Sequence, residues 1–238
     1  MFGDDKTIKI IFFGDMVGRP GRFAVRDYLS KQPQNEKVSQ FIIANVENAS
    51  HGFGLTEKNY NEISEYGIDC MTAGNHIWDK KEIFNYIDRA DKLVRPINYP
   101  NGTVGKGSRI FELSNGIKIG VINVLGRVFM APVDSQWTVV KEEIERIKAI
   151  TPIVIVDFHA EATAEKICFA RFCSELGVSA FFGTHTHVQT ADEQIINGMG
   201  YITDAGFCGT KESVIGMEYT TSLHRFTTVI PERYDVAD

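Results

Sequence analysis

Asp15, Glu47 with Asn48, Asn75 with His76, His159, and His185 with His187 bring carboxylate, carboxamide and imidazole groups from widely separated parts of the chain. Together these donors suit borderline divalent metals such as Mn, Fe or Zn. Two cations roughly 3.5–4 Å apart need one shared carboxylate and separate terminal ligands, the arrangement of metal-assisted phosphoester hydrolysis. Taken singly, each residue has a plain structural meaning. Asp15 can serve a turn, Asn75 can take a left-handed position, and a lone buried His159 can be a hydrogen-bonded core histidine. Their joint placement favours a dinuclear metal centre. His185 and His187 lie two apart, so an extended segment would point both rings the same way.

What places these residues is a set of short, largely apolar runs, the first of them, Ile8–Phe13, also β-branched. The sequence predicts strands over Ile8–Phe13, Gln40–Val46, Asp69–Ala73, Pro152–Phe158 and Val178–Phe182, and each candidate group follows one of them. Helices are expected over Arg22–Ser30, from a Thr56 cap to about Tyr66, over Trp137–Ile150 and over Thr163–Leu176. Asp79 with Glu82 resembles a capping box that opens a further helix. Hairpins are expected at Ser108–Leu113 with Lys118–Asn123, and within Glu193–Thr203, turning near Asn197–Gly198. This order predicts one α/β domain over residues 1–238. Its expected architecture is a four-layer α/β/β/α sandwich of two mixed sheets, with ligands gathered beyond the carboxyl ends of the strands.

Composition narrows the functions. With 238 residues, 43% hydrophobic and 24% charged, the chain can bury a substantial core. A net charge of −6 argues against nucleic-acid polymers as partners, but not against a small phosphorylated substrate held through cations. No apolar run is long enough to span a membrane, and the N-terminus lacks a signal-peptide core, so a cytoplasmic protein is expected. Cys70, Cys168, Cys173 and Cys208 have no C-x-x-C spacing and read as buried thiols of a reducing compartment. Arg19 and Arg22 read as solvent-facing, and Asp204 as either a support to the site or a strand terminus.

The blocks Gly14–Asp15, Val46–Glu47–Asn48–Ala49, Gly74–Asn75–His76, Asp157–Phe158–His159 and Gly183–Thr184–His185–Thr186–His187 resemble the five-block signature of calcineurin-like metallophosphoesterases. The longer stretches 74–82, 157–163 and 184–192 resemble its bacterial YmdB branch, associated with 2′,3′-cyclic nucleotide phosphodiesterase activity. The resemblance implies that Asp15, Glu47, Asn48 and His187 hold one metal. Glu47 bridges to a second, completed by Asn75, His159 and His185, and His76 donates a proton to the leaving oxygen. The wider superfamily has Asp-x-His in its first block, whereas position 17 is Val17, which leaves Asn48 to complete that shell. The branch also continues beyond the position of Asp238. Implied cofactors are two divalent ions, Fe or Mn first and Zn also compatible. The implied partner is a small phosphodiester, with a homo-oligomer expected by analogy alone. A phosphomonoesterase and a non-catalytic interaction scaffold of the same fold are the alternatives.

Overall fold

The computed structural model describes residues 7–32 and 39–238. Strands β1 (Ile8–Phe13) and β2 (Asp15–Met16) precede helix α1 (Gly18–Ser30), and β3 (Ser39–Asn45) leads toward α2 (Glu57–Glu65). β4 (Cys70–Thr72) is followed by 3₁₀ turns over Asn75–Trp78, Lys81–Asn85 and Ile87–Arg89, then by β5 (Leu93–Val94). A hairpin of β6 (Ser108–Glu112) and β7 (Lys118–Leu125) comes before α3 (Gln136–Lys148), β8 (Val154–His159), α4 (Thr163–Glu175) and β9 (Ala180–Thr184). The rest is β10 (Gln194–Ile196), β11 (Met199–Ile202), β12 (Phe207–Cys208) and α5 (Tyr219–Thr228).

The fold is mixed α/β with several sheets. One sheet is parallel throughout, in the order β1-β3-β4-β5. The larger runs β10-β11-β9-β8-β7-β6, parallel at its centre and antiparallel at both edges. β12 and β2 form a small parallel pair that carries Asp15.

The apolar runs are continuous because both faces of the central strands are covered. Phe41, Ile43, Cys70 and Val94 of the parallel sheet pack against Ile119, Val121 and Ile155 of the larger one. With a period of two, the alternate residues turn outward. Ala44 and Met71 join a cluster with Val25 and Ile63 of α1 and α2. Val124, Val156 and Phe158 join one with Val140, Ile144 and Phe169 of α3 and α4. Among the described residues, no helix is long and apolar enough to cross a membrane.

Local departures from the sequence reading have identifiable causes. Thr56 caps α2 as expected, its side chain accepting from Asn59 N. The Asp79–Glu82 box does not form. Asp79 binds the His76 ring, and Glu82 accepts from Glu57 N, supporting the start of α2 from outside. α1 begins four residues early at Gly18, with Pro20 in its first turn, where an amide hydrogen has no helical partner to lose. α5 lies beyond the last expected element. Arg22 is not solvent-facing, since it donates to Ala49 O at 2.6 Å and pairs with Glu62 at 3.2 Å. All four cysteines are free, but Cys168 is exposed on α4 and is not a buried thiol.

Candidate metal centre

Asp15 enters from β2, Glu47 and Asn48 follow β3, Asn75 and His76 follow β4, His159 ends β8, and His185 and His187 follow β9. His159 Nε2 lies 2.9 Å from Glu47 Oε1, 3.1 Å from Asn75 Oδ1 and 3.0 Å from His185 Nδ1. Asp15 Oδ1 sits 3.7 Å from both His159 Nδ1 and His187 Nε2, and its Oδ2 accepts from His185 N at 3.0 Å. Glu47 Oε2 accepts from His76 N at 2.8 Å. Asn48 lines the same cleft, of about 360 Å³, and its amide donates to Gly52 O. All eight candidates therefore meet at one end of the two sheets.

The expected extended geometry of His185-x-His187 is not what joins them. Both residues have positive φ, 102° and 62°, and their rings meet different partners, His185 facing His159 and His187 facing Asp15. Non-glycine residues rarely hold such angles, and the surroundings must enforce them. Lys166, buried on α4, pairs with Asp204 at 2.6 Å, and the same carboxylate oxygen accepts from Thr186 N and Oγ1. That buried pair ties the intervening residue down.

Each histidine has one ring nitrogen held by an acceptor. The Ile215 carbonyl, 2.8 Å from His187 Nδ1, can only accept, so Nδ1 carries the hydrogen and Nε2 is left toward Asp15. Thr184 gives its hydroxyl hydrogen to Asp157 and must accept from His159 Nδ1, leaving His159 Nε2 for the centre. Glu161 engages His185 Nε2 at 3.0 Å and leaves Nδ1 inward. Two imidazole nitrogens freed in this way face each other across 3.0 Å, which calls for a cation or a proton between them. Glu47, His159 and His185 offer ligand atoms within 4.8 Å of one another, a site able to hold a metal ion. Asp15 Oδ1, which lies between His159 and His187, and Asn48 Oδ1 are buried oxygens without a hydrogen-bond partner. Buried acceptors are seldom left so, and oxygen donors of this kind fit a divalent cation.

In the metal-free protein a proton takes part of that role. Burial would raise Glu47, but the adjacent His159 cation draws it down to about 2. Burial would lower His159, but Glu47 first, then Asp15 and Asp157, raise it to about 9. His185 falls to about 3 through burial and the neighbouring His159 charge. Asp15 is raised, chiefly by burial. A metal must displace the His159 proton, so binding weakens as pH falls. For the chelated protein the sign is opposite. A histidine raised from 6.5 to about 9 gives full stabilisation below pH 6.5 and loses it as pH rises through 9. Chelated protein is therefore expected to lose stability on the order of 3 kcal/mol between these limits. Thermal unfolding of His159→Gln should show no such alkaline loss, and a slope equal to wild type would refute the assignment.

The sequence family described as YmdB-like protein matches residues 11–238. The chain belongs to the YmdB-like family. A 2′,3′-cyclic-nucleotide 2′-phosphodiesterase of Bacillus subtilis (strain 168) is 46% identical over 97% of this chain and 87% of its own length. A crystal structure of a novel phosphatase from Mycoplasma pneumoniae superposes with a TM-score of 0.89 at 36% identity, covering 99% of this chain and 85% of that one. A hypothetical protein from Thermus thermophilus gives 0.86 at 37% identity, covering 96% and 88%. In this YmdB-like chain, Val17 is fully buried and its amide donates to Cys208 O, so position 17 belongs to the core. Sequence reasoning missed the layer behind the site. Asn45 donates to Ala73 O and Asp157 Oδ2, each at 3.1 Å, and nothing in its local sequence marks it. Thr184 and Asp157 were visible only as letters within the family blocks. Glu161 lay in such a block too, without a role.

Proposed function

We propose that this YmdB-like protein hydrolyses small phosphodiesters, with 2′,3′-cyclic nucleotides as the substrate class, at two divalent cations. The observation that carries this reading is the combination of two orphaned buried oxygens, on Asp15 and Asn48, with the His159 and His185 nitrogens that face each other across 3.0 Å. Asp15, Asn48 and His187 would hold one cation, and Asn75, His159 and His185 the other, with Glu47 shared. Iron or manganese suits this mixed oxygen and nitrogen set, and zinc is compatible. When bound, such ions neutralise charge on the phosphoryl oxygens and make water acidic enough to attack at neutral pH. The family relationship supports diester chemistry. The parallel and mixed sheets, packed face to face beneath outer helices, support a single four-layer domain.

In this reading His76 moves the proton. Its Nδ1 donates to Asp79 at 2.8 Å, which orients the ring and leaves Nε2 as the nitrogen not committed to Asp79. Its own amide is fixed by Glu47 Oε2, so the ring stands beside the centre and lines the cleft. From there, with both ring nitrogens protonated, Nε2 can give its hydrogen to a departing ribose oxygen and leave a neutral ring. His76→Ala should retain metal content and lower kcat about 10²–10⁴-fold for a poor leaving group. Unchanged kcat with such a substrate would remove His76 from the mechanism. The function itself is tested by metal-reconstituted turnover of 2′,3′-cyclic AMP beside 3′,5′-cyclic AMP and a simple monoester, with the product isomer identified. Selective opening of the 2′,3′ ring is expected. Dominant monoester hydrolysis would overturn the reading.

A further inference from the structure

The cleft has two unlike walls. One carries the polar groups described above. The other is apolar and is built by Phe53 with a distant segment that supplies Ile215, Met217, Phe226 and Tyr234. A phosphoryl group has no use for hydrocarbon, since cations and hydrogen-bond donors recognise it. An apolar wall facing such a centre therefore fits the organic part of a substrate. The wall is also graded by distance. The Phe53 ring lies 4.8 Å from the His76 ring, and the Tyr234 ring lies 6.5 Å from the Phe53 ring. A sugar ring beside His76 would thus bring its substituent over Phe53 and Tyr234. Arg225 holds its guanidinium 4.5 Å from the Tyr234 ring centre, which steadies that ring. Phe226 is 71% exposed although it lines the cleft, so most of its surface is open to a flat partner.

We propose that Phe53, Tyr234 and Phe226 form a stacking platform for a nucleobase, making this a site for cyclic nucleotides and not for cyclic phosphates at large. The proposal rests on the diesterase reading and adds the groups that select within it. Stacking on aromatic side chains tolerates every base, because each presents a π face. The expected selectivity is therefore for the presence of a base, more than for its identity.

The test compares 2′,3′-cyclic AMP with methyl riboside 2′,3′-cyclic phosphate, in which a methoxy group replaces the base. Wild type should show a KM lower by roughly tenfold or more for the nucleotide. Phe226→Ala and Tyr234→Leu should each shrink that ratio toward one. Equal KM values in wild type, or variants that weaken both substrates equally, would overturn the platform. So would a changed assembly mass for Phe226→Ala, which would assign the ring to a contact between copies. A readout without turnover is saturation-transfer NMR of AMP on the chelated protein. Base protons should receive more saturation than ribose protons, and the reverse order counts against the proposal. If wild type turns over neither substrate, the diesterase reading fails by itself, while the NMR result still decides the platform.

Discussion

Glu47→Gln is expected to lower kcat on the order of 10³-fold and to deplete bound metal. In the proposed centre Glu47 is the shared ligand. One carboxylate oxygen is 2.9 Å from His159 Nε2, and the other accepts from His76 N. An amide keeps the shape but removes the charge and turns one acceptor into a donor, aimed at a ligand nitrogen or at the His76 amide. The charge also matters without metal. Glu47 is the main partner of the protonated His159, so the chelated variant keeps a buried cation with its nearest counter-charge gone. Breaking a buried pair from one side costs about 3–5 kcal/mol. Elemental analysis, turnover after reconstitution and thermal unfolding of the chelated form measure the three effects separately. Wild-type metal content with wild-type turnover would dismiss Glu47 as the shared ligand.

Gly74→Ala should do comparable damage with one methyl group. A Cβ at position 74 would fall closer than 3.0 Å to His159 Cδ2, His159 Nε2 and Glu47 Oε2, the atoms that define the centre. Gly74 has φ −160°, an angle open to any residue, so crowding and not backbone strain is the cause. Either the ligands move or the loop between β4 and Asn75 does. Displacements near 1 Å at a reacting centre cost about 100-fold in rate, so a loss of at least that size is expected, with metal content reduced. Gly200→Ala supplies the control, because its methyl would meet only Ser179 O at 4.0 Å. Full activity in the Gly74 variant would show that the site relaxes around the methyl and is looser than its distances suggest.

The sequence was most informative where physics is local. β3, β4, β8 and β9 announce themselves as short apolar runs because two packed faces require it, and the polar residue closing each run is conspicuous by contrast. The Thr56 cap was legible for the same reason, since the acceptor and its amide are three residues apart. Failure began where partners are distant. Glu82 looked like the third residue of its own helix, but its carboxylate serves Glu57, 25 positions away. The two histidines after β9 looked extended, but Asp204 and Lys166 bend the segment between them. Asn45 carried no signal because its role depends on Asp157, 112 positions along the chain. Gly52–Phe53–Gly54 was legible as a loop at the rim of the site, but the rest of the apolar wall was silent, since Tyr234 meets Phe53 only after folding.

Lys166 carries its ammonium inside the protein, 1% exposed and closed over by Asp204. A nitrogen so placed is out of reach of acylating reagents until the segment bearing Thr186 lifts away. Its labelling rate is thus a clock for that lifting, readable by mass spectrometry at a single lysine while surface lysines react at once. Ions or substrate that hold His185 and His187 in place should slow the clock and leave the other lysines unchanged.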